Sequence, residues 1–132
     1  MNNTAVQTIS LSGGTPTAVA LPITTPNKSI TYTPVNRMTI AMGGDYEIHY
    51  FLSGTLDQNA VMTLAIRKNV GGIPSAIASR AVLANQAFTL SGNTYVNLQP
   101  GDVIDMTIAS SRAAKLKLNS GVNASLTLKK LD

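Results

Sequence analysis

The stretch Leu98-Gln-Pro-Gly-Asp-Val-Ile-Asp-Met-Thr-Ile108 decides the fold class of this chain. After Gly101, large apolar residues occupy every second position, namely Ile104, Met106 and Ile108. A period of two is typical of a β-strand with one buried face. Pro100 presets its own φ angle and Gly101 accepts a positive φ angle. The residues from Gln99 to Asp102 are therefore predicted to reverse the chain tightly between two antiparallel strands.

The composition of the whole chain favours β structure. The 132 residues give room for one domain, residues 1–132, with a single core. Hydrophobic residues make up 44% of the chain, aromatic residues only 5%, and Trp is absent, so the core is expected to be mainly aliphatic. Thr and the β-branched aliphatic residues favour extended backbone, and runs of strong helix formers are missing. We expect an all-β protein.

Charge and cysteine usage exclude several function classes. The chain has no cysteine, which removes disulfides, thiolate catalysis and Cys-ligated metals. Its formal charge of +4 is spread out, and the basic residues from Arg112 to Lys117 have no aromatic residues between them, which disfavours a nucleic-acid partner. No segment approaches the length of a membrane span, and the first six residues lack the pattern of a secretion signal.

Short strands are predicted at regular intervals, joined by Gly, Pro and Asn turns. They cover Ala5–Leu11, Ser29–Thr33, Arg37–Met42, Asp45–Leu52, Val61–Lys68, Ala87–Leu90, Thr94–Leu98 and Asn123–Leu131, and Ala18–Ile23 is an edge strand or an extended connection because prolines flank it. A hairpin turn is predicted at Asn69–Gly72, a loop at Ser53–Asn59 and a polar connection at Ser110–Gly121. The alanine-rich segment Ile73–Leu83 leaves a helix open as the less favoured alternative, because it contains a proline and no sustained 3.6-residue spacing. This pattern indicates a two-sheet sandwich or a closed barrel.

The strand Asp45–Leu52 has two unlike faces. Tyr46, Ile48, Tyr50 and Leu52 share the face that we assign to the core. Glu47, His49 and Phe51 share the other face. A phenylalanine on a nominally outer face indicates that this side is covered as well, as it would be by another chain.

Few residues suggest chemistry. His49, the only histidine, shares a strand face with Glu47, and the pair could act as an acid and base or contribute to a metal site. A packed or interface histidine is the favoured interpretation, because no further ligand is near in sequence. Asp102 and Asp105, like Asp45 and Asp57, could bind calcium. We favour a turn-forming role for Asp102 and a solvated outer-face position for Asp105, and we predict no catalytic residue, metal or cofactor.

Three segments in order carry a resemblance to a known family. They are Gly44-Asp-Tyr-Glu-Ile-His-Tyr50, Leu98-Gln-Pro-Gly-Asp-Val-Ile-Asp-Met106 and Ala124-Ser-Leu-Thr-Leu-Lys-Lys-Leu131. Their combination resembles the C-terminal domains of collagen-like spore-surface (exosporium) glycoproteins of the BclA type, which belong to the C1q and tumour-necrosis-factor-like jelly rolls. The resemblance covers most of the chain from about Met38 onward. The 132 residues contain no Gly-X-Y repeat, which departs from the stalked members of that family.

The resemblance implies a ten-stranded antiparallel jelly-roll sandwich that assembles as a homotrimer, with one sheet of each protomer facing the three-fold axis. Residues that would fill the space between the sheets are Tyr46, Ile48, Tyr50, Val96, Leu98, Ile104, Met106, Ile108, Leu126 and Leu128. Residues that would point toward neighbouring protomers are Glu47, His49, Phe51, Tyr95, Ser125 and Thr127. A trimer would cover the aromatic side chains on faces opposite the core.

The resemblance also implies a function. It predicts a non-enzymatic structural and adhesion or recognition module at the spore surface or otherwise outside the cell, whose partners are its own copies and a host-surface protein or glycan. The alternative is a phage or viral fibre head or a lectin-like trimer that binds a glycan, for which Asp57, Gln58 and Asn59 are the one visible cluster. An enzyme built on His49 and Glu47 is the third and least favoured hypothesis.

Overall fold

The computed structural model describes residues 1–5, 8–24, 29–33, 37–69, 71–119 and 123–131. These residues contain twelve strands and no helix, so no helix able to cross a bilayer occurs among them. The strands are β1 Asn2–Asn3, β2 Thr8–Leu11, β3 Thr17–Ala18, β4 Ile30–Thr33, β5 Arg37–Ile40, β6 Gly44–Leu56, β7 Ala60–Lys68, β8 Gly71–Val82, β9 Ala87–Leu98, β10 Val103–Ser110, β11 Ala114–Leu118 and β12 Ala124–Lys130. The count exceeds the expected ten because β1 and β3 are ladders of only two residues.

The strands form two six-stranded sheets, which confirms the predicted sandwich. In the first sheet the order is β1-β12-β6-β11-β2, and β9 pairs with the other edge of β6. In the second sheet the order is β4-β5-β10-β7-β8, and β3 also pairs with β10. Every ladder between these strands is antiparallel. The described residues therefore form an all-β antiparallel sandwich.

The core lies between the two sheets and follows the predicted alternation. Along β6 the burial pattern alternates strictly from Tyr46 to Leu56, with every even-numbered residue buried. Nine of the ten predicted core residues are buried, and the tenth, Val96, is partly buried against them. A period of two on both inner faces packs aliphatic side chains from the two sheets against one another. The core prediction is confirmed.

The turn at Gln99–Asp102 forms as predicted, but it does not connect two paired antiparallel strands. Gly101 has a φ angle of 91°, and the Asp102 backbone N–H donates to the Gln99 carbonyl at 3.1 Å. The Asp102 carboxylate accepts the Gln99 N–H at 2.9 Å, which confirms its turn-forming role. The two strands that the turn joins, β9 and β10, belong to different sheets and do not pair with each other. The turn therefore carries the chain across the sandwich.

The predicted loop at Ser53–Asn59 and the predicted polar connection at Ser110–Gly121 are partly wrong. Strand β6 continues to Leu56, and β11 lies inside the expected connection. The two errors have one cause, because β11 pairs with the end of β6, Leu118 opposite Gly54 and Leu116 opposite Leu56. A β-carbon on Gly54 would lie 2.7 Å from the Lys117 carbonyl oxygen, so this glycine permits a close approach of strands and is no loop signal.

Two further segments differ from the expected pattern. Strand β9 runs unbroken through Ser91–Asn93, where a break was predicted, because Gly92 faces the ring of Tyr50 across the ladder. Residues 71–82 form β8, so the helical alternative is wrong. The hairpin between β7 and β8 is confirmed, and Asn69 has a φ angle of 53° at its start. Residues 6–7, which belong to the first predicted strand, and residue 70 in this hairpin lie outside the described residues.

Candidate functional site

The six residues predicted to face neighbouring protomers lie together on the outer face of the first sheet. They occupy three adjacent strands, because β9 and β12 pair with opposite edges of β6. Together with Ser91, Asn93 and Lys129 they form three rows across the strands, Tyr95–Glu47–Lys129, Asn93–His49–Thr127 and Ser91–Phe51–Ser125. We call these nine residues the β9–β6–β12 patch. The structure thus gathers into one surface residues that are as far apart as 47 and 127 in sequence.

The patch combines aromatic and polar side chains. Tyr95 is 65% exposed, and the His49 side chain is 49% exposed, whereas Phe51 is half-buried. Three residues of the patch, Ser91, Asn93 and Lys129, are absent from the sequence prediction. Their alternation with the inward-facing residues Leu90, Gly92 and Leu128 on the same strands is the signal that could have found them. Tyr95 lies in the first row and Phe51 in the third, so the patch has an aromatic side chain near each of its ends.

Electrostatic contacts hold the polar groups of the patch together. The Nε2 atom of His49 contacts Oε1 of Glu47 as a hydrogen-bonded pair. This hydrogen bond is the main reason why the pKa of Glu47 lies below its ordinary value, and the Tyr95 hydroxyl and the Lys129 ammonium group lower it further. The hydrogen bond to Glu47 in turn raises the pKa of Tyr95. The carboxylate of Glu47 thus lies at the centre of the Tyr95–Glu47–Lys129 row.

No metal site is formed by the residues that the structure describes. Nowhere among them do three or more His, Asp or Glu side chains gather. Asp45 and Asp57 lie near opposite ends of β6, roughly 40 Å apart along an extended strand of that length, so they cannot share an ion. Asp102 accepts hydrogen bonds from the Gln99 backbone and the Asn69 side chain, and Asp105 pairs with Arg67. Asp105 is only 6% exposed, so its predicted solvated position is wrong.

The polar cluster Asp57, Gln58 and Asn59 follows β6 at one end of the sandwich. Asp57 and Gln58 line a cavity of about 310 Å³ together with Lys115. The Asp57 carboxylate accepts the Lys115 backbone N–H at 2.8 Å, and the Asn59 side chain accepts the Ala84 N–H at 2.7 Å. Two of the three side chains therefore brace the loops, and the Gln58 side chain is exposed at the cavity.

Solved structures with the same fold belong to TNF-like jelly rolls. The crystal structure of murine APRIL at pH 5.0 superposes with a TM-score of 0.69 over 96% of this chain and 100% of that chain, at 17% sequence identity. The structure of Eiger TNF from S. frugiperda gives a TM-score of 0.73 over 99% of this chain and 88% of that chain, at 12% identity. No sequence-family profile matches the chain, and no curated protein sequence does. At these identities the likeness establishes the fold, a TNF-like jelly roll.

Proposed function

We propose that this chain is a non-enzymatic module that assembles as a homotrimer through the β9–β6–β12 patch. The observation that carries the proposal is the patch itself, a contiguous surface with Tyr95, 65% exposed, in its first row and Phe51, half-buried, in its third row. Burial of such aromatic side chains against another protein chain would remove apolar surface from water. The TNF-like jelly roll and the resemblance of the three sequence segments to trimeric jelly-roll domains support a second copy of this chain as that partner.

The geometry of three-fold assembly sets a further condition. In a ring of three identical subunits, each contact is heterologous, so the patch of one protomer meets a different surface of the next. His49 and Glu47 then lie in an interface, where their hydrogen-bonded pair orients polar groups for a neighbour. This role accounts for the pair without a catalytic function.

For the biological role, we propose a structural and adhesion or recognition module on the outer surface of a bacterial spore. The support is the resemblance of the ordered segments Gly44–Tyr50, Leu98–Met106 and Ala124–Leu131 to exosporium glycoproteins of the collagen-like type. Labelling of intact spores with antibodies against the folded protein tests this location. Absence of label on spores, combined with label elsewhere, would contradict it.

A mass measurement in solution tests the trimer. Sedimentation equilibrium should give about 41 kDa, three times the 13.8 kDa of one chain. Tyr95→Asp should shift the mass to that of one chain with an unchanged circular dichroism spectrum, because an exposed position tolerates the change in the monomer while a second carboxylate beside Glu47 is repelled when buried. Phe51→Asp should act in the same direction.

The matched control is Ile77→Asp. Ile77 is 48% exposed on β8, in the second sheet and away from the patch. This variant should retain the trimer mass. A wild-type protein that remains a monomer at micromolar concentration, or a Tyr95→Asp variant that remains a trimer, would remove the proposed interface.

A glycan-binding trimer, such as a phage or viral fibre head, is the second candidate. The observation that favours it is the cavity beside Asp57, Gln58 and Lys115, whose carboxylate, amide and ammonium groups can bond to sugar hydroxyls. A glycan-array screen with the wild-type protein and Gln58→Ala tests this candidate. Glycans that bind the wild-type protein but no longer bind Gln58→Ala would favour this candidate over a purely structural module.

A further inference from the structure

A second cavity, on the outer face of the second sheet, has the features of a ligand site. It measures about 280 Å³ and is lined, among the described residues, by Arg37, Asn69, Val103 and Asp105. It lies on the second sheet, whereas the β9–β6–β12 patch lies on the first. Its volume is close to the lower limit of about 300 Å³ for small-molecule pockets in proteins.

Two arginine side chains flank one carboxylate at this cavity. Asp105 on β10 lies opposite Arg67 on β7, whose Nε atom donates to Oδ1 at 2.8 Å and whose Nη2 atom donates to Oδ2 at 2.5 Å. On the other edge of β10, Met38 lies opposite Ile104, which places Arg37 as the next residue in register toward Asp105. Arg67 and Arg37 therefore lie in register on either side of Asp105 in three adjacent strands, and of the two Arg67 is the one hydrogen-bonded to its carboxylate.

Arg37 is the group that a ligand would engage. Arg67 already forms the two-fold hydrogen-bonded pair with Asp105, and within the described ranges no hydrogen bond or ion pair occupies the guanidinium group of Arg37. Arg37 is exposed at the cavity, whereas Asp105 is more than nine-tenths buried. A guanidinium group binds a carboxylate through two parallel hydrogen bonds, and each oxygen of Asp105 retains a lone pair that can accept from a hydroxyl group.

Backbone geometry and hydrogen bonds fix the wall of the cavity that Asn69 and Val103 form. Asn69 adopts a φ angle of 53°, a conformation that few residues other than glycine adopt. Its side chain donates to Asp102 at 3.1 Å and accepts the Val103 backbone N–H at 2.9 Å. The wall is thus held by hydrogen bonds on both sides, and a preformed wall reduces the ordering that a ligand must cause.

We propose that this cavity binds a monoanionic hydroxy carboxylate, with its carboxylate on Arg37 and a hydroxyl group donating to Asp105. The excess of one positive charge among Arg37, Arg67 and Asp105 favours a single negative charge on the ligand. A doubly charged phosphate is disfavoured because the buried carboxylate of Asp105 repels it. The same chemistry occurs in a terminal uronic acid of an acidic glycan and in a free hydroxy acid.

Calorimetric titration of the wild-type protein tests the site with four probes, glucuronate, lactate, glucose and inorganic phosphate. A ligand of this size with ordinary efficiency should bind with a dissociation constant of about 1 mM. Glucuronate or lactate should bind at least about tenfold more tightly than glucose, which lacks the carboxylate, or phosphate. Tighter binding of glucuronate than of lactate points to an acidic glycan as the source, and the reverse order points to a free hydroxy acid.

Arg37→Gln should weaken binding by about tenfold or more, since it removes the guanidinium group but leaves the Arg67–Asp105 pair. Arg80→Gln is the matched control, because Arg80 is exposed on β8 and away from the cavity. The affinity of this variant for glucuronate and lactate should stay within about twofold of the wild-type affinity. The proposal is overturned if neither carboxylate binds saturably, if phosphate or glucose binds as tightly, or if Arg37→Gln leaves the affinity unchanged. Trimer formation in the same samples reports separately on the proposed function.

Discussion

The ring of Tyr50 lies over Gly92, the residue opposite it across the β6–β9 ladder, and a β-carbon on residue 92 would lie 2.6 Å from the Cζ atom of that ring. Tyr50 is 4% exposed, so the ring is enclosed by the core and has little room to move. Gly92 therefore serves the packing of the first sheet, and its lack of a side chain is what keeps β9 continuous.

Gly92→Ala should lower the free energy of unfolding by about 1–3 kcal/mol, because the added methyl group overpacks the core against Tyr50. Urea unfolding measures the loss. Gly72→Ala on β8 is the control, since a β-carbon on residue 72 would meet no atom within 4 Å, and its change should stay within about 0.5 kcal/mol. A Gly92→Ala variant as stable as the wild type would contradict the packing assigned to Tyr50.

Asp105→Asn should lower the free energy of unfolding by about 2 kcal/mol. The substitution leaves Arg67, whose side chain is only 24% exposed, without its charged partner. A double-mutant cycle with Arg67→Met isolates the pair and should give a coupling of about 1–2 kcal/mol. Strictly additive effects of the two substitutions would show that the pair contributes no mutual stabilisation.

The sequence predicted correctly those parts of the fold where a local residue pattern alone decides the structure. The alternation of Ile104, Met106 and Ile108 defines β10, and Pro100 with Gly101 defines the preceding turn. In each case the residue pattern and the burial against the opposite sheet favour the same conformation. The β6 part of the patch, Glu47, His49 and Phe51, was predictable for the same reason, since odd-numbered residues of β6 must face away from a core filled by even-numbered ones.

The errors arose where a long-range contact decides the structure. Gly54 and Gly92 resemble loop signals, yet each lies inside a strand because β11 or Tyr50 approaches it closely. Asp105 resembles a solvated acid because a sequence shows no partner for it, whereas Arg67 lies 38 residues away. Cross-strand pairing brings such partners together, and local propensity contains no information about it.

His49→Asn should raise the pKa of Glu47 toward the ordinary value of about 4.3. The hydrogen bond from the His49 ring is the largest cause of the lowered pKa, and the substitution weakens it by removing the imidazole. Carboxyl ¹³C chemical shifts as a function of pH measure this change. Thr127→Ala is the control. It changes the uncharged residue opposite His49 and should leave the pKa of Glu47 lowered.

The Asp102 carboxylate should make the protein less stable in acid. Its pKa lies below the ordinary value because it accepts a hydrogen bond from the Gln99 backbone N–H, and the Asn69 side chain and the charge of Lys68 lower it further. A carboxyl group with a lowered pKa in the folded state stabilises that state fully above the pKa of the unfolded chain, about 3.9. The contribution disappears as the pH falls through the lower pKa of the folded state.

Asp102→Asn separates this contribution from the other acids. The amide keeps the shape of the side chain but carries no charge at any pH, so the variant should be less stable than the wild type near neutral pH and equally stable well below the folded-state pKa. Urea unfolding of both proteins at about pH 7 and about pH 2 measures the two differences. A difference between the two proteins that is the same at both pH values would show that the negative charge of Asp102 does not stabilise the Gln99–Asp102 turn.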